Sequence, residues 1–202
     1  STDQVVNGGC LRMDGYVNRV LAERNGGSQS ATANSTPQKG RQKITLFSFA
    51  TGIGLNGMVS VPFPMEGEIG WFRLFEVMHA TFARLAQKRP DVDFVIKPKW
   101  EGYWLDWINR VIRANGLDPD AIKNLTITSE VNPHDLILES DVVCGFASTV
   151  LLEAGIAGKP VIVPDFEETL EPKYRDRVQL RQCYDLFDIA DSAESFASLI
   201  EQ

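Results

Sequence analysis

The stretch Asp141-Val142-Val143-Cys144-Gly145-Phe146-Ala147-Ser148-Thr149-Val150-Leu151-Leu152-Glu153-Ala154-Gly155-Ile156-Ala157-Gly158-Lys159-Pro160-Val161-Ile162-Val163-Pro164 decides how the chain is read. Its apolar, β-branched start predicts a buried strand ending at Gly145. Ser148 then predicts a helix cap, Gly158 the helix stop, and Pro160 the start of the next strand. Such a unit leaves free backbone N–H groups and the Ser148 and Thr149 hydroxyls at a helix start, beside the carboxyl ends of the strands. That place suits phosphate or pyrophosphate, because orphan donors and the helix dipole both favour an anion. Glu153, one turn further in, is placed to accept hydrogen bonds from ribose hydroxyls. The plainer alternative is that Ser148 only caps and Glu153 is an exposed helix residue.

Working outward, short apolar runs alternate with helical stretches. The runs are Ile44 to Phe49, Phe94 to Lys97, Leu125 to Thr128, Asp141 to Cys144 and Pro160 to Val163. Helices are predicted at Trp71 to Gln87, Tyr103 to Asn115, Pro133 to Glu139, Thr149 to Ala157 and Ala193 to Ile200, the last capped by Asp191 or Ser192. Strands that are almost wholly apolar must be buried on both faces. The expected fold is therefore α/β: a Rossmann-like, doubly wound parallel sheet in three α/β/α layers, with ligands at the carboxyl ends of the strands. Gly26 to Arg41 is rich in Gly, Ser, Thr, Asn and Gln and reads as a linker or long loop. Before it, Gln4 to Gly9 reads as a strand with a Gly-Gly turn and Asp14 to Arg24 as a helix. The expected organisation is 1–25 as the end of, or crossover from, a preceding domain, 26–41 as linker, and 42–202 as a nucleotide-sugar-binding domain.

The order of strand, Gly145, Ser148-Thr149, helix with Glu153-Ala154, then Gly158-Lys159-Pro160-Val161-Ile162, resembles the donor-binding half of GT-B glycosyltransferases and of the related UDP-N-acetylglucosamine 2-epimerase. It looks most like bacterial surface-polysaccharide enzymes, the capsule Kdo transferases and the CDP-glycerol glycerophosphotransferases. Val5-Val6-Asn7-Gly8-Gly9-Cys10-Leu11-Arg12-Met13-Asp14 resembles the segment by which such chains leave their first domain. The resemblance implies that Ser148 and Thr149, with Gly145 and Phe146, hold the donor phosphates and that Glu153 holds the ribose. It also implies that an N-terminal acceptor domain, which usually supplies the catalytic base, lies outside this chain, so the catalytic residue stays unassigned.

Further segments bear on the same chemistry. Phe94-Val95-Ile96-Lys97-Pro98-Lys99-Trp100 delivers Lys97 and Lys99 to a strand end, where cations stabilise a leaving phosphate. Related enzymes often carry Lys-x-His-Pro here, and Lys99 stands where the His would be. Thr51-Gly52-Ile53-Gly54-Leu55-Asn56-Gly57 matches GxGxxG. Pro62 and Pro64 block an immediate helix and the next strand ends in Lys97, so a dinucleotide oxidoreductase is a poor reading. Gly52 and Gly54 fit a glycine loop over a donor pyrophosphate, or an ordinary surface loop. His134, at a capped helix start, is a candidate contact to the donor base. His79 between Phe75 and Phe82 reads as structural, and Trp100, Tyr103, Trp104 and Trp107 read as packing rather than a sugar platform, with Trp100, beside Lys99, the exception. Asp91-Val92-Asp93 and Asp118-Pro119-Asp120 read as solvated loop acids. The loop Asp165-Phe166-Glu167-Glu168 faces either the donor sugar or a partner domain.

Composition narrows the classes. A net charge of −7 argues against nucleic acid as the main partner. The odd set Cys10, Cys144 and Cys183 argues against a disulfide framework or zinc site. No essential metal or cofactor is expected; the nucleotide-sugar is substrate. No stretch approaches the roughly 18 to 20 apolar residues of a membrane span. The combined expectation is a metal-independent glycosyltransferase part of capsule, lipopolysaccharide or other surface-polysaccharide biosynthesis, cytoplasmic or at the cytoplasmic face of the inner membrane. Its partners would be a nucleotide-sugar donor, a glycan or lipid-linked acceptor and the N-terminal domain. A sugar-nucleotide epimerase and a non-catalytic binding module are the alternatives.

Overall fold

A computed structural model describes residues 11–26, 40–52 and 70–202. The chain divides into two compact units, Ser1–Lys39 and Gly40–Gln202. In the first, helix α1 spans Leu11–Gly26 and contains the helix expected over Asp14 to Arg24. The strand expected at Gln4 to Gly9 and most of the expected linker lie outside the described residues.

The second unit is a parallel sheet wrapped by helices. In chain order it runs β1 Lys43–Phe47, α2 Phe72–Lys88, β2 Asp93–Lys97, α3 Tyr103–Ala114, β3 Leu125–Ile127 and α4 Pro133–Glu139. It continues with β4 Val142–Gly145, α5 Val150–Ile156, β5 Val161–Pro164, β6 Asp188–Ala190 and α6 Ala193–Ile200. The six strands lie in the order β3-β2-β1-β4-β5-β6, and every pairing is parallel. Helices α2, α3 and α6 pack together on one side, and α4 packs on α5. Strands β1, β2, β4 and β5 are buried along nearly their whole length, whereas the edge strands β3 and β6 are partly exposed. This is the burial expected when helices cover both faces of a parallel sheet.

Most boundaries fall within a residue of expectation, and the larger departures have physical reasons. β1 stops at Phe47 instead of Phe49, because Ser48 N–H closes the ladder on Lys97 O at 2.9 Å and the next residue on β2 is Pro98, which has no N–H to continue it. The sixth strand, Asp188–Ala190, is an addition: three residues with an exposed first position present no apolar run to notice. Ser192, not Asp191, caps α6, its Oγ accepting from Ser195 N–H at 3.0 Å.

Helix α2 is the main cover of the sheet, burying Leu74, Phe75, Met78, Phe82 and Leu85 among others. Nothing in its own sequence caps it: Trp71 at its start makes no side-chain cap. The missing acceptor comes from far along the chain. The buried Glu168 carboxylate accepts Arg73 N–H at 2.6 Å and Leu74 N–H at 2.8 Å, one oxygen for each. Of the acidic loop, Asp165 is likewise occupied, accepting from Arg181 at 2.6 Å. These carboxylates fasten the segment after β5 to the domain, a role that the sequence did not suggest. Physically, an uncapped, half-buried helix start needs an anion, and Glu168 answers its dipole and its orphan donors together.

His79 lies fully buried on the sheet side of α2, stacked on Phe75 with ring centroids 3.9 Å apart. Burial pushes its imidazole from 6.5 down to about 4, so it is neutral in the folded protein at pH 7.

Two outcomes are expected. Glu168→Ala should lower the unfolding free energy by about 2 kcal/mol in denaturant titration, with Glu168→Gln intermediate, because the alanine leaves one buried and one half-buried amide donor without acceptors. His79 binds its proton more readily unfolded than folded. Its contribution is therefore complete above pH 6.5 and disappears as pH falls towards about 4, a loss of roughly 3 kcal/mol. Melting temperature against pH should show this decline, and His79→Phe should flatten it.

Candidate functional site

The carboxyl ends of β1, β2 and β4 open into a cleft of about 490 Å³. One wall comes from the chain leaving β1, Ser48 to Ala50 with Gly52. A second comes from the end of β2, Lys97 to Trp100. The third is the turn between β4 and α5, Phe146 to Val150, followed by Glu153 one turn into the helix. Phe47, Trp71, Pro133, Arg177 and Gln179 complete the lining.

The β4–α5 turn is shaped by an unusual backbone. Ala147 has φ 48°, a left-handed conformation that a residue with a Cβ adopts at a cost of about 1 kcal/mol or more. The turn it makes alters the expected capping. Thr149, not Ser148, flanks α5, already helical at φ −61° and ψ −20° and without a side-chain cap. Ser148 Oγ lies 3.4 Å from Val150 N, too far for a firm bond. Among the described residues, no acceptor takes the backbone N–H of Ser148 or Thr149. The turn therefore offers amide donors and two hydroxyls to the cleft. At the other end of α5, Lys159 N–H bonds Ala154 O at 3.1 Å and Gly158 N–H bonds Gly155 O at 2.9 Å, the expected glycine stop.

Gly145 and Phe146 form the ground beneath this turn. Gly145 does not line the cleft: a Cβ there would stand 3.1 Å from Leu151 Cδ2 and 3.2 Å from Phe47 O, so the glycine lets β1, β4 and α5 close on one another. Phe146 is fully buried and meets Phe49 and Trp71 edge to face, at centroid distances of 5.1 and 5.0 Å. It makes the floor rigid and apolar.

Opposite stand the cations. Lys97 is buried and donates from Nζ to Ser129 O at 2.9 Å, leaving two ammonium donors beyond that bond. Burial pushes its ammonium below the ordinary lysine value, with Glu101 opposing the shift. Lys99 holds its Nζ over the Trp100 ring, 4.7 Å from the centroid, and that indole is exposed at the rim. Trp104 is buried, as packing predicts, so the aromatic stripe splits between core and rim. Glu153 Oε2 lies 3.3 Å from His134 Nε2. The structure thus sets His134 behind Glu153, while its neighbour Pro133 reaches the cleft. Gly52 joins the wall and bridges to Gly70, where Thr51 O would lie 2.6 Å from any Cβ. Gly54 lies outside the described residues.

Several lining residues escaped the sequence. Ser48 ends a strand like any other small polar residue, and its partner His79 is 31 positions away. Arg177 and Gln179 belong to a stretch of short irregular turns between β5 and β6, with no periodicity to place them.

No known protein-family model matches the chain, and no curated protein matches it. Solved structures do. The wall teichoic acid polymerase TagF superposes with a TM-score of 0.51 at 15% identity, over 93% of this chain and 38% of that one. The UDP-GlcNAc 2-epimerase from Neisseria meningitidis bound to UDP-GlcNAc gives 0.49 at 15% identity, over 82% and 36%. The C-terminal domain of the group 1 glycosyl transferase LpcC from Francisella tularensis gives 0.47 at 15% identity, over 80% and 74%. The chain thus spans only 38% of the polymerase and 36% of the epimerase. At such identity the likeness is one of fold, and it gives this chain the Rossmann-like α/β fold found in TagF.

Proposed function

We propose that the cleft binds the nucleotide diphosphate or monophosphate moiety of an activated sugar, and that the chain is the donor-binding part of a glycosyltransferase of capsule or other surface-polysaccharide assembly. The observation that carries this reading is the convergence on one cleft of the Ser148 and Thr149 amides, which have no acceptor among the described residues, and their hydroxyls with the ammonium groups of Lys97 and Lys99. A basic, donor-lined crevice in a chain of net charge −7 has a local cause, and a phosphate ester supplies one.

When the bond between the sugar's anomeric carbon and the phosphate oxygen breaks, its electron pair stays on the phosphate. Donors fixed before the reaction stabilise that growing charge without having to reorganise. Lys97, held by Ser129 and shielded from water, is the stronger of the two cations for this task. Because lysines neutralise the leaving group, the transfer is proposed to need no metal ion. Glu153 is proposed to accept hydrogen bonds from the ribose hydroxyls, with His134 steadying the carboxylate from behind. The acceptor, a glycan or lipid-linked glycan, and the catalytic base are proposed to come with a second, N-terminal domain, at the cytoplasmic face of the inner membrane.

A sugar-nucleotide epimerase and a binding module without catalysis are the competing readings. The second draws on Lys99, which stands over Trp100 where related enzymes often carry a histidine. An epimerase would release free sugar and nucleotide with no acceptor present.

Titration calorimetry with UDP, CDP, CMP and GDP checks the assignment. Combined Ser148→Ala and Thr149→Ala is expected to weaken the bound nucleotide by about tenfold or more, since a hydrogen bond to a charged group contributes roughly 1.5–3 kcal/mol. Unchanged affinity in that variant would sink the phosphate site. Absence of a thermal shift with every nucleotide would favour a fold that has lost its site.

A further inference from the structure

Ser48 carries a hydroxyl of the cleft whose proton can be located by argument. It ends the first wall, lines the cleft, and is only 7% exposed. Its Oγ lies 2.9 Å from His79 Nε2, while His79 Nδ1 lies 2.6 Å from Phe75 O. A backbone carbonyl only accepts, so Nδ1 must carry the proton. A neutral imidazole has one N–H, and Nε2 is then an acceptor. The hydroxyl between them has no choice: Ser48 donates its single proton to His79. What remains towards the cleft is lone pairs alone.

We propose that Ser48 meets the ligand solely as a hydrogen-bond acceptor, and that it holds a hydroxyl of the transferred sugar instead of a phosphate oxygen. This rests on the nucleotide-sugar reading of the cleft. Phosphate oxygens at neutral pH present no proton to an acceptor. To serve one, Ser48 would have to turn its proton away from His79 and leave a buried imidazole nitrogen without a partner. The phosphates are already provided for at Ser148 and Thr149, and the ribose at Glu153. Of the two groups left, the base and the transferred sugar, the sugar brings ring hydroxyls that donate whichever base is present. Ser48 is not a nucleophile: an imidazole whose protonation burial opposes polarises the hydroxyl but does not take its proton.

The fixed polarity makes Ser48 a discriminator. A ligand bearing the sugar gains a bond there, and a bare nucleotide gains none.

Calorimetry on wild type and Ser48→Ala, each with UDP, CDP, CMP and GDP and with their sugar or glycerol esters, tests this. The expected result is a roughly two- to tenfold loss for the sugar-bearing ligand and an unchanged affinity for the matching bare nucleotide. Equal losses for both, or no loss for either, would overturn the proposal, the first by showing Ser48 on the phosphate or base. Wild type binding none of the ligands would instead remove the nucleotide-sugar reading itself, and this proposal with it. The tautomer is read separately in unsubstituted protein by proton–nitrogen correlation of the imidazole. A proton on Nδ1 is expected, and one on Nε2 would refute the acceptor role whatever the ligands do. Melting curves of Ser48→Ala confirm that the variant compared is folded.

Discussion

Between β1 and β4 the parallel sheet reverses the direction in which successive strands are added: β2 and β3 build outward on one side, β5 and β6 on the other. The connections leaving the two central strands must therefore depart on opposite faces, α2 over one and α5 over the other. Their ends cannot close on each other, and a crevice at that point is a geometric necessity of the strand order. Everything proposed for the site depends on it. The Ser48 wall, the Lys97 strand end and the Ser148 turn are neighbours because β1, β2 and β4 are neighbours, although the sequence separates them widely.

Burial explains why the fold was legible. Strands covered on both faces must be apolar throughout, and the runs at Ile44, Phe94, Val142 and Val161 announce themselves by that property. Helices covering a sheet must carry one apolar stripe, and Phe75, Met78, Phe82 and Leu85 on α2 do so. β6 failed to announce itself because an edge strand of three residues owes little to burial. The site divides along the same line. Ser148, Thr149, Glu153, Lys97 and Lys99 belong to strand ends and helix starts, where local sequence and position coincide. Ser48 with His79, Glu168 with α2, and Arg177 depend on tertiary proximity, which a single sequence does not encode as a pattern.

The cleft also shows how a polar site is kept inside an apolar setting. Its floor, Phe146 between Phe49 and Trp71, is rigid and dry. Three of its polar groups are held by a second group outside the cleft: Lys97 by Ser129, Glu153 by His134, Ser48 by His79. Held groups change little when a ligand arrives, and the strained Ala147 turn is tolerable because the packed floor fixes it.

The Glu168 contact spans 95 residues to Arg73, and the neighbouring Tyr174 hydroxyl, accepting from Gly70 N–H at 3.3 Å, spans 104. The start of α2 and the segment after β5 are therefore held by one another. That segment also carries Arg177 and Gln179 to the rim of the cleft. A disturbance at the first turn of α2 has a direct route to the cleft, through a stretch of chain that takes no part in the sheet.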